Sequence, residues 1–174
     1  VIDVPLPIDA IRRCASNPEF LAAMKALYVD LDREIAANHP VCTNRGACCK
    51  FAAFDHRLYV TTAELAYFLG MSKDPLLAPP DRSFCPYQQV GQCTARSARP
   101  AGCRIFYCDP KAQSWQSPQT ELTLGRLREV SERFDLPYAY VEWTSALRRL
   151  GGRIVSDQPT LNMPIQIDTP SKAP

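Results

Sequence analysis

Seven of the eight cysteines stand between residues 42 and 108, at Cys42, Cys48, Cys49, Cys85, Cys93, Cys103 and Cys108. Thiols gathered this densely either ligate a metal ion or iron–sulfur centre, or cross-link a secreted fold. A tetrahedral zinc ion or a four-iron cluster takes about four thiolates, so this set exceeds what either one requires. Two zinc ions bridged by shared thiolates would use about six. No Cys-x2-Cys pair occurs, which argues against a plain zinc ribbon. The side chains of Cys48 and Cys49 are adjacent and point apart in an extended chain, so either one of them ligates or the two serve different ions. Gly46, Gly91 and Gly102 sit beside the sulfurs, as suits loops whose backbone passes close to a centre and donates N–H groups to it. Arg45, Lys50, Arg96, Arg99 and Arg104 also lie within a few residues of cysteines. They either offset the negative charge of clustered thiolates or are simply solvated.

An even cysteine count also permits a disulfide framework. At 174 residues, however, the chain has no need of one. A domain of ~150 residues hides roughly two-thirds of its unfolded surface and builds a core without cross-links. Cys14 lies outside the cluster and reads as a small buried apolar residue. His39, beside Pro40, reads as a helix-end histidine, and His56, beside Asp55, as a surface-loop histidine. Neither forms a Cys–His nucleophile arrangement. Trp115, Trp143, Tyr138 and Tyr140 read as core or groove-lining residues, and Arg12-Arg13 and Arg148-Arg149 as solvated faces.

The elements that must position the cysteines are mostly helical. Ser16-Asn17-Pro18-Glu19 has the cap, proline and acid of a helix start. Phe20, Leu21, Met24, Leu27, Tyr28, Leu31 and Ile35 then mark one apolar face of a helix over about 18–37, ended by His39-Pro40. Leu58-Tyr59-Val60 reads as a short strand. Thr61 and Glu64 offer a capping box for a helix running to Leu69, with Gly70 as its stop. Residues 71–84 read as a loop. Ser117-Pro118 with Glu121 starts another helix, with Leu124, Leu127, Val130 and Phe134 on its apolar face, broken at Leu136-Pro137. A further helix is expected over 138–150, lined by Tyr140, Trp143, Leu147 and Leu150 and ended by Gly151-Gly152. Ile154-Val155 and Ile165-Gln166-Ile167 read as short edge strands or a wrapped arm. The expectation is a mainly α fold of about four helices and few short strands. It forms a single domain over 1–152, with irregular Cys-rich loops (42–108) wrapped around a metal or iron–sulfur centre and a proline-rich arm over 153–174.

The formal net charge of +2 gives no basis for a nucleic-acid or membrane partner. No run approaches the ~18 apolar residues of a membrane span. The segment Val1–Pro7 lacks the basic start and apolar stretch of a signal peptide, but the sequence does not begin with Met, which leaves secretion open beside the expected cytoplasmic location. The chain has few glycines, 7 in all, and no glycine-rich nucleotide loop following a strand. It also lacks the Cys-x3-Cys-x2-Cys run of radical S-adenosylmethionine enzymes.

The cysteine pattern resembles the YkgJ-type cysteine-cluster family, described as a zinc- or iron-chelating domain. Cys42, Gly46, Cys48 and Cys49 match its Cys-x2-Cys-Gly-x-Cys-Cys stretch. Cys85-Pro86, Gly91-Gln92-Cys93 and Arg99-Pro100-Ala101-Gly102-Cys103-Arg104-Ile105-Phe106 match its later segments. Arg45 stands where that signature has its second cysteine; either Cys108 replaces it from another loop or the second cysteine is dispensable. The resemblance spans about 42–108 and implies a metal or iron–sulfur centre rather than a reaction. A flagellin lysine methylase carries a similar motif.

Three functions follow as expectations. The first is a metal-binding protein holding an iron–sulfur cluster, or zinc, on these thiolates in a binding, redox or structural role. The second is an enzyme, either an S-adenosylmethionine-dependent protein methyltransferase or a redox enzyme. The third is a zinc-stabilised module that binds a protein partner through helices 118–150 or the proline-rich tail. The oligomeric state is not readable from the sequence.

Overall fold

In the computed structural model the described residues are 5–42, 46–72 and 75–155. Arg45, the expected strand at Ile165–Ile167 and the arm from residue 156 lie outside them. Six α-helices and six short strands account for the regular structure of the described residues apart from two 3-10 turns.

Helix α2 (Pro18–Ala36) forms where its sequence signals say. The Asn17 side-chain oxygen accepts the backbone N–H groups of Glu19 (2.9 Å) and Phe20 (3.3 Å), and Pro18 takes the first helical position. The buried face is Phe20, Met24, Leu27, Tyr28, Leu31 and Ile35. Helix α3 (Thr62–Met71) carries the capping box. Glu64 N–H donates to Thr61 Oγ1, and Glu64 Oε2 accepts Thr61 N–H at 2.6 Å. Every residue from Thr62 to Phe68 is buried, so α3 is the central helix, packed by α1, α2 and α5.

Helix α1 (Ile8–Ala15) was not expected, because Pro5 and Pro7 flank its start and obscure it. It explains Gly70. That residue lies inside the last turn of α3 rather than stopping it, because α1 crosses there. A Cβ on Gly70 would collide with the Ala15 carbonyl oxygen and come within 2.7 Å of Leu21 Cδ2.

The region expected as one helix over 138–150 divides into strand β5 (Tyr140–Glu142) and helix α6 (Trp143–Arg149). Pairing with β1 (Tyr59–Thr61) decides this. The two run antiparallel with Val60 opposite Val141, and Trp143 N–H donates to Leu58 O at 2.9 Å. Glu142 then caps α6, accepting from Thr144 N (3.1 Å) and Ser145 N (2.8 Å). Tyr140 is consequently 47% exposed, outside the core, whereas Trp143 is 1% exposed within it.

Helix α5 (Gln113–Arg133) begins before Ser117-Pro118, so Pro118 lies inside it. A 3-10 turn, Pro110–Ala112, capped by Asp109, leads into it. Arg126 pairs with Glu34 at 2.8 Å, tying α5 to α2 and holding the Glu34 carboxyl below its ordinary range, chiefly through their hydrogen bond. Strand β6 (Arg153–Ile154) pairs in parallel with β2 (Leu77–Ala78), as the Ile154-Val155 reading anticipates. Arg148 is not solvated as expected; it donates to the carbonyls of Pro79 and Asp81. Among the described residues no helix is long and apolar enough to cross a membrane.

Strands β3 (Gln88–Gln89) and β4 (Gln92–Cys93) form a hairpin closed by Val90-Gly91, both at positive φ (52° and 78°). That is the geometry of a type I′ turn, which favours Asn-Gly. Val90 is β-branched and 65% exposed, so it bears the left-handed conformation with little packing in return. Val90→Asn is expected to raise stability by about 1 kcal/mol, seen as a higher denaturant midpoint at unchanged slope.

Candidate metal centre

Three segments distant in sequence meet beside α3. The first is the 3-10 turn Ala47–Cys49, bringing Cys48 and Cys49. Gly46 enters it at φ 65° and lies on the β3–β4 hairpin. A Cβ there would come within 2.7 Å of Gln88 Nε2 and 3.3 Å of Gly91 Cα, so the contact requires glycine. The second segment runs alongside, with Cys85 N–H donating to Cys49 O at 2.8 Å and Ala52 N–H to Ser83 O at 2.9 Å. Its hairpin delivers Cys93. The third is the short helix α4 (Ala101–Ile105), which carries Cys103. Its first N–H, on Ala101, donates to Glu64 Oε1 at 2.7 Å, so the buried carboxylate at the head of α3 also anchors the head of α4.

All seven clustered cysteines line one cavity of about 290 Å³. Leu58, Phe68, Tyr87 and Trp143 supply its apolar wall, and Arg96 and Arg99 also line it. Cys85 is buried, Cys49, Cys93 and Cys103 are half-buried, and Cys42, Cys48 and Cys108 are exposed. Cys14 is 1% exposed in the helical core, its sulfur near Phe134 O, apart from the cluster as expected.

Five of the thiols act on one another. The Cys48 and Cys49 thiols are hydrogen-bonded, as are those of Cys49 and Cys85. The bond with Cys48 eases ionisation of Cys49, but the bond with Cys85, burial and the neighbouring sulfurs of Cys85 and Cys93 outweigh it and push the thiol up to about 12. The bond to Cys49, then burial, raises Cys48. Burial raises Cys103 well above the ordinary range, and Cys49, Cys93 and Cys48 add to it. Burial and neighbouring sulfurs thus oppose ionisation of Cys48, Cys49 and Cys103. A cation bound among them would favour the thiolate instead, since a coordinating thiol is deprotonated.

The cationic residues divide in a way the sequence does not reveal. Arg99 stands beside Cys48 and Cys103 and eases the ionisation of both. Its Nε is buried without an acceptor, and so is Nε1 of Trp143 on the apolar wall. Two donors lacking acceptors along a sulfur-lined cavity fit a centre that offers acceptor sulfur. Lys50 is exposed and does not line the cavity. Arg104 is no counter-charge to the sulfurs. It is 5% exposed and donates to Arg99 O (2.9 Å), Ser97 O (2.8 Å) and Asp32 Oδ2 (2.7 Å), clamping the 97–104 segment to α2.

His39 is exposed and lies outside the cavity, as expected. His56 lies in a loop, and there it has a partner that the surface-loop reading does not supply. It is half-buried, with Nε2 at 3.0 Å from Cys48 O and its ring edge-on to Phe51, so it braces the first cysteine turn. Nothing in its sequence neighbourhood signals that contact. The sequence marks Glu64 only as half of a capping box; its bond to Ala101 spans 37 positions and has no local signature.

Burial raises the Glu64 carboxyl above its ordinary 4.5, against the hydrogen bonds from Thr61 and Ala101 that lower it. Its folded pKa therefore exceeds the unfolded one. The associated stability is complete below about pH 4.5 and is lost as pH rises through the folded value. Glu64→Gln removes this dependence. The stability difference between wild type and variant, from denaturant melts at several pH values, is expected to shift against the wild type as pH rises from 4.5.

Among the described residues, no three His, Cys, Asp or Glu side chains are grouped to hold one metal ion. No protein-family model matches the chain, nor does any curated protein or solved structure.

Proposed function

We propose that this protein is a metal-binding protein whose centre, an iron–sulfur cluster in preference to zinc, is held by thiolates of Cys48, Cys49, Cys85, Cys93 and Cys103. The observation that carries this reading is the convergence of three separate segments on one cavity lined by every clustered cysteine. Among the described residues 30 buried hydrophobic residues other than cysteine form the core, so it does not require thiols and their gathering calls for another cause. The resemblance to YkgJ-type cysteine-cluster proteins points the same way. The number of thiols, the irregular spacing, Arg99 beside the sulfurs and the two donors without acceptors favour iron–sulfur over a single zinc ion. Such a cluster supplies one-electron transfer when bound. The residues here would hold it, shield it behind Phe68, Tyr87 and Trp143, and offset its charge.

The test is purification without oxygen, a visible spectrum, and assays of iron, zinc and acid-labile sulfide per chain. Brown protein with iron and sulfide in matching amounts supports the cluster. Colourless protein with stoichiometric zinc moves the reading to a zinc-stabilised module. Protein without metal under these conditions, and unable to take it up afterwards, sinks the proposal.

A further inference from the structure

A second cleft, of about 740 Å³, opens between the C-terminal end of α2 and the segment 96–107. Its charged lining is Arg96, Arg99 and Arg104 against a single carboxylate, Asp32. Arg104 and Asp32 answer each other at 2.7 Å, and Arg104 also donates to the carbonyls of Ser97 and Arg99. That leaves Arg96 and Arg99. Among the described residues neither makes a side-chain hydrogen bond or an ion pair. Arg96 is exposed. The Arg99 Nε is buried without an acceptor, while its two Nη groups are neither buried nor bonded. The end of α2 does not supply what they lack, because each of its last four carbonyls already accepts a bond nearby. Arg33 O takes Ala37 N–H (3.2 Å), Ile35 O takes Asn38 N–H (3.0 Å), Ala36 O takes His39 N–H (3.1 Å), and Glu34 O takes the Asn38 side-chain amide (3.0 Å). Two guanidinium groups thus face a cleft whose acceptors are otherwise engaged.

We infer that this cleft is an oxyanion site, in which Arg96 and Arg99 hold a phosphate group, either free or at the end of a small-molecule monoester. The site stands apart from the metal-centre reading and does not depend on it. Each guanidinium presents parallel N–H donors in a fixed fork. A carboxylate has two oxygens and fills one such fork. A phosphate has at least three terminal oxygens and serves two forks at once. Ser97 lines the same cleft and adds a hydroxyl donor. The volume of the cleft lies within the ~300–1,000 Å³ range of small-molecule sites, so it has room for the rest of an ester as well as for the phosphate.

The test is isothermal titration of the full chain at constant ionic strength, with inorganic phosphate and glycerol 3-phosphate as probes and sodium chloride as the control titrant. Saturable binding at a single site is expected for at least one probe. Arg96→Gln and Arg99→Gln are each expected to weaken it about tenfold or more. Arg12→Gln removes the same charge from α1, outside the cleft, and should change it little. Arg99→Lys keeps the charge without the fork and should recover only part of the affinity. Should Arg99→Gln fail to fold, Arg96→Gln carries the test from an exposed position. Glycerol 3-phosphate binding more tightly than inorganic phosphate assigns the ester as the source, and equal or weaker binding assigns free phosphate. Absence of saturable binding for both probes overturns the inference. So does an affinity that Arg12→Gln lowers as much as Arg96→Gln, because that result reports general charge rather than a site.

Discussion

Cys103→Ser is expected to lose its metal, with metal per chain falling to a small fraction of the wild-type value, while Cys14→Ser keeps wild-type content. The two residues test opposite sides of one partition. Cys103 projects from α4 among Cys48, Cys49 and Cys93. Cys14 lies in the helical core near Phe134 O. Serine is smaller and holds soft metals poorly, and the binding energy of a structural metal site, on the order of 10 kcal/mol, is also folding energy for the loops that supply its ligands. Amide hydrogen exchange should therefore show the segments around Cys85, Cys93 and Cys103 losing protection in Cys103→Ser, with α2, α3 and α5 unchanged. Cys14→Ser exerts its effect elsewhere, as a modest loss of global stability from a polar group placed in the core. A Cys14→Ser protein that came out empty would overturn the division of the cysteines.

Arg104→Met is expected to lower the unfolding free energy by about 3 kcal/mol, because it strands two carbonyls that the guanidinium satisfies. Its Nε and Nη2 bond Arg99 O and Ser97 O, and its plane lies 4.1 Å from the centre of the Tyr28 ring. Asp32 contributes less than its 2.7 Å contact suggests, since its side chain is 51% exposed and solvent screens the pair. Asp32→Asn should accordingly cost well under half as much. Arg104→Lys should rescue little, because an ammonium cannot reproduce the fork that spans both carbonyls. Denaturant midpoints at unchanged slope check all three. Arg104→Met should also loosen metal, since the residues it clamps run directly into Cys103.

The cysteine set was legible in the sequence because thiol chemistry depends on residue type and rough proximity, and both survive in a linear string. Helix α2 and the start of α3 were legible because their caps and apolar spacing are local. What escaped depends on contacts between distant segments. Tyr140-Val141-Glu142 sits in helical periodicity with Trp143 and Leu147, yet pairing with Tyr59–Thr61 makes it a strand. Gly70 has the look of a helix stop, and its true reason is Ala15, 55 positions earlier. Arg104 adjoins a cysteine and so suggests a counter-charge, but its partners lie on α2 and in its own loop. In each case the residue is conspicuous in the sequence and its partner is not, because nothing in the local sequence specifies a partner from another element.

The Glu64 carboxylate joins two structures that would otherwise be neighbours only. One oxygen closes the capping box of α3 through Thr61, and the other receives the first N–H of α4. The helical core and the cysteine loops are thereby geared together. A displacement of α4 would act through this carboxylate on the head of α3, which Thr61 at the end of β1 caps. The exposed aromatic pair Tyr59 and Tyr140, their tilted rings 5.6 Å apart, lies on the ladder that β1 forms with β5. Through Glu64 the cysteine loops and the β1–β5 ladder thus share one anchor point, although no residue of that ladder lines the cavity.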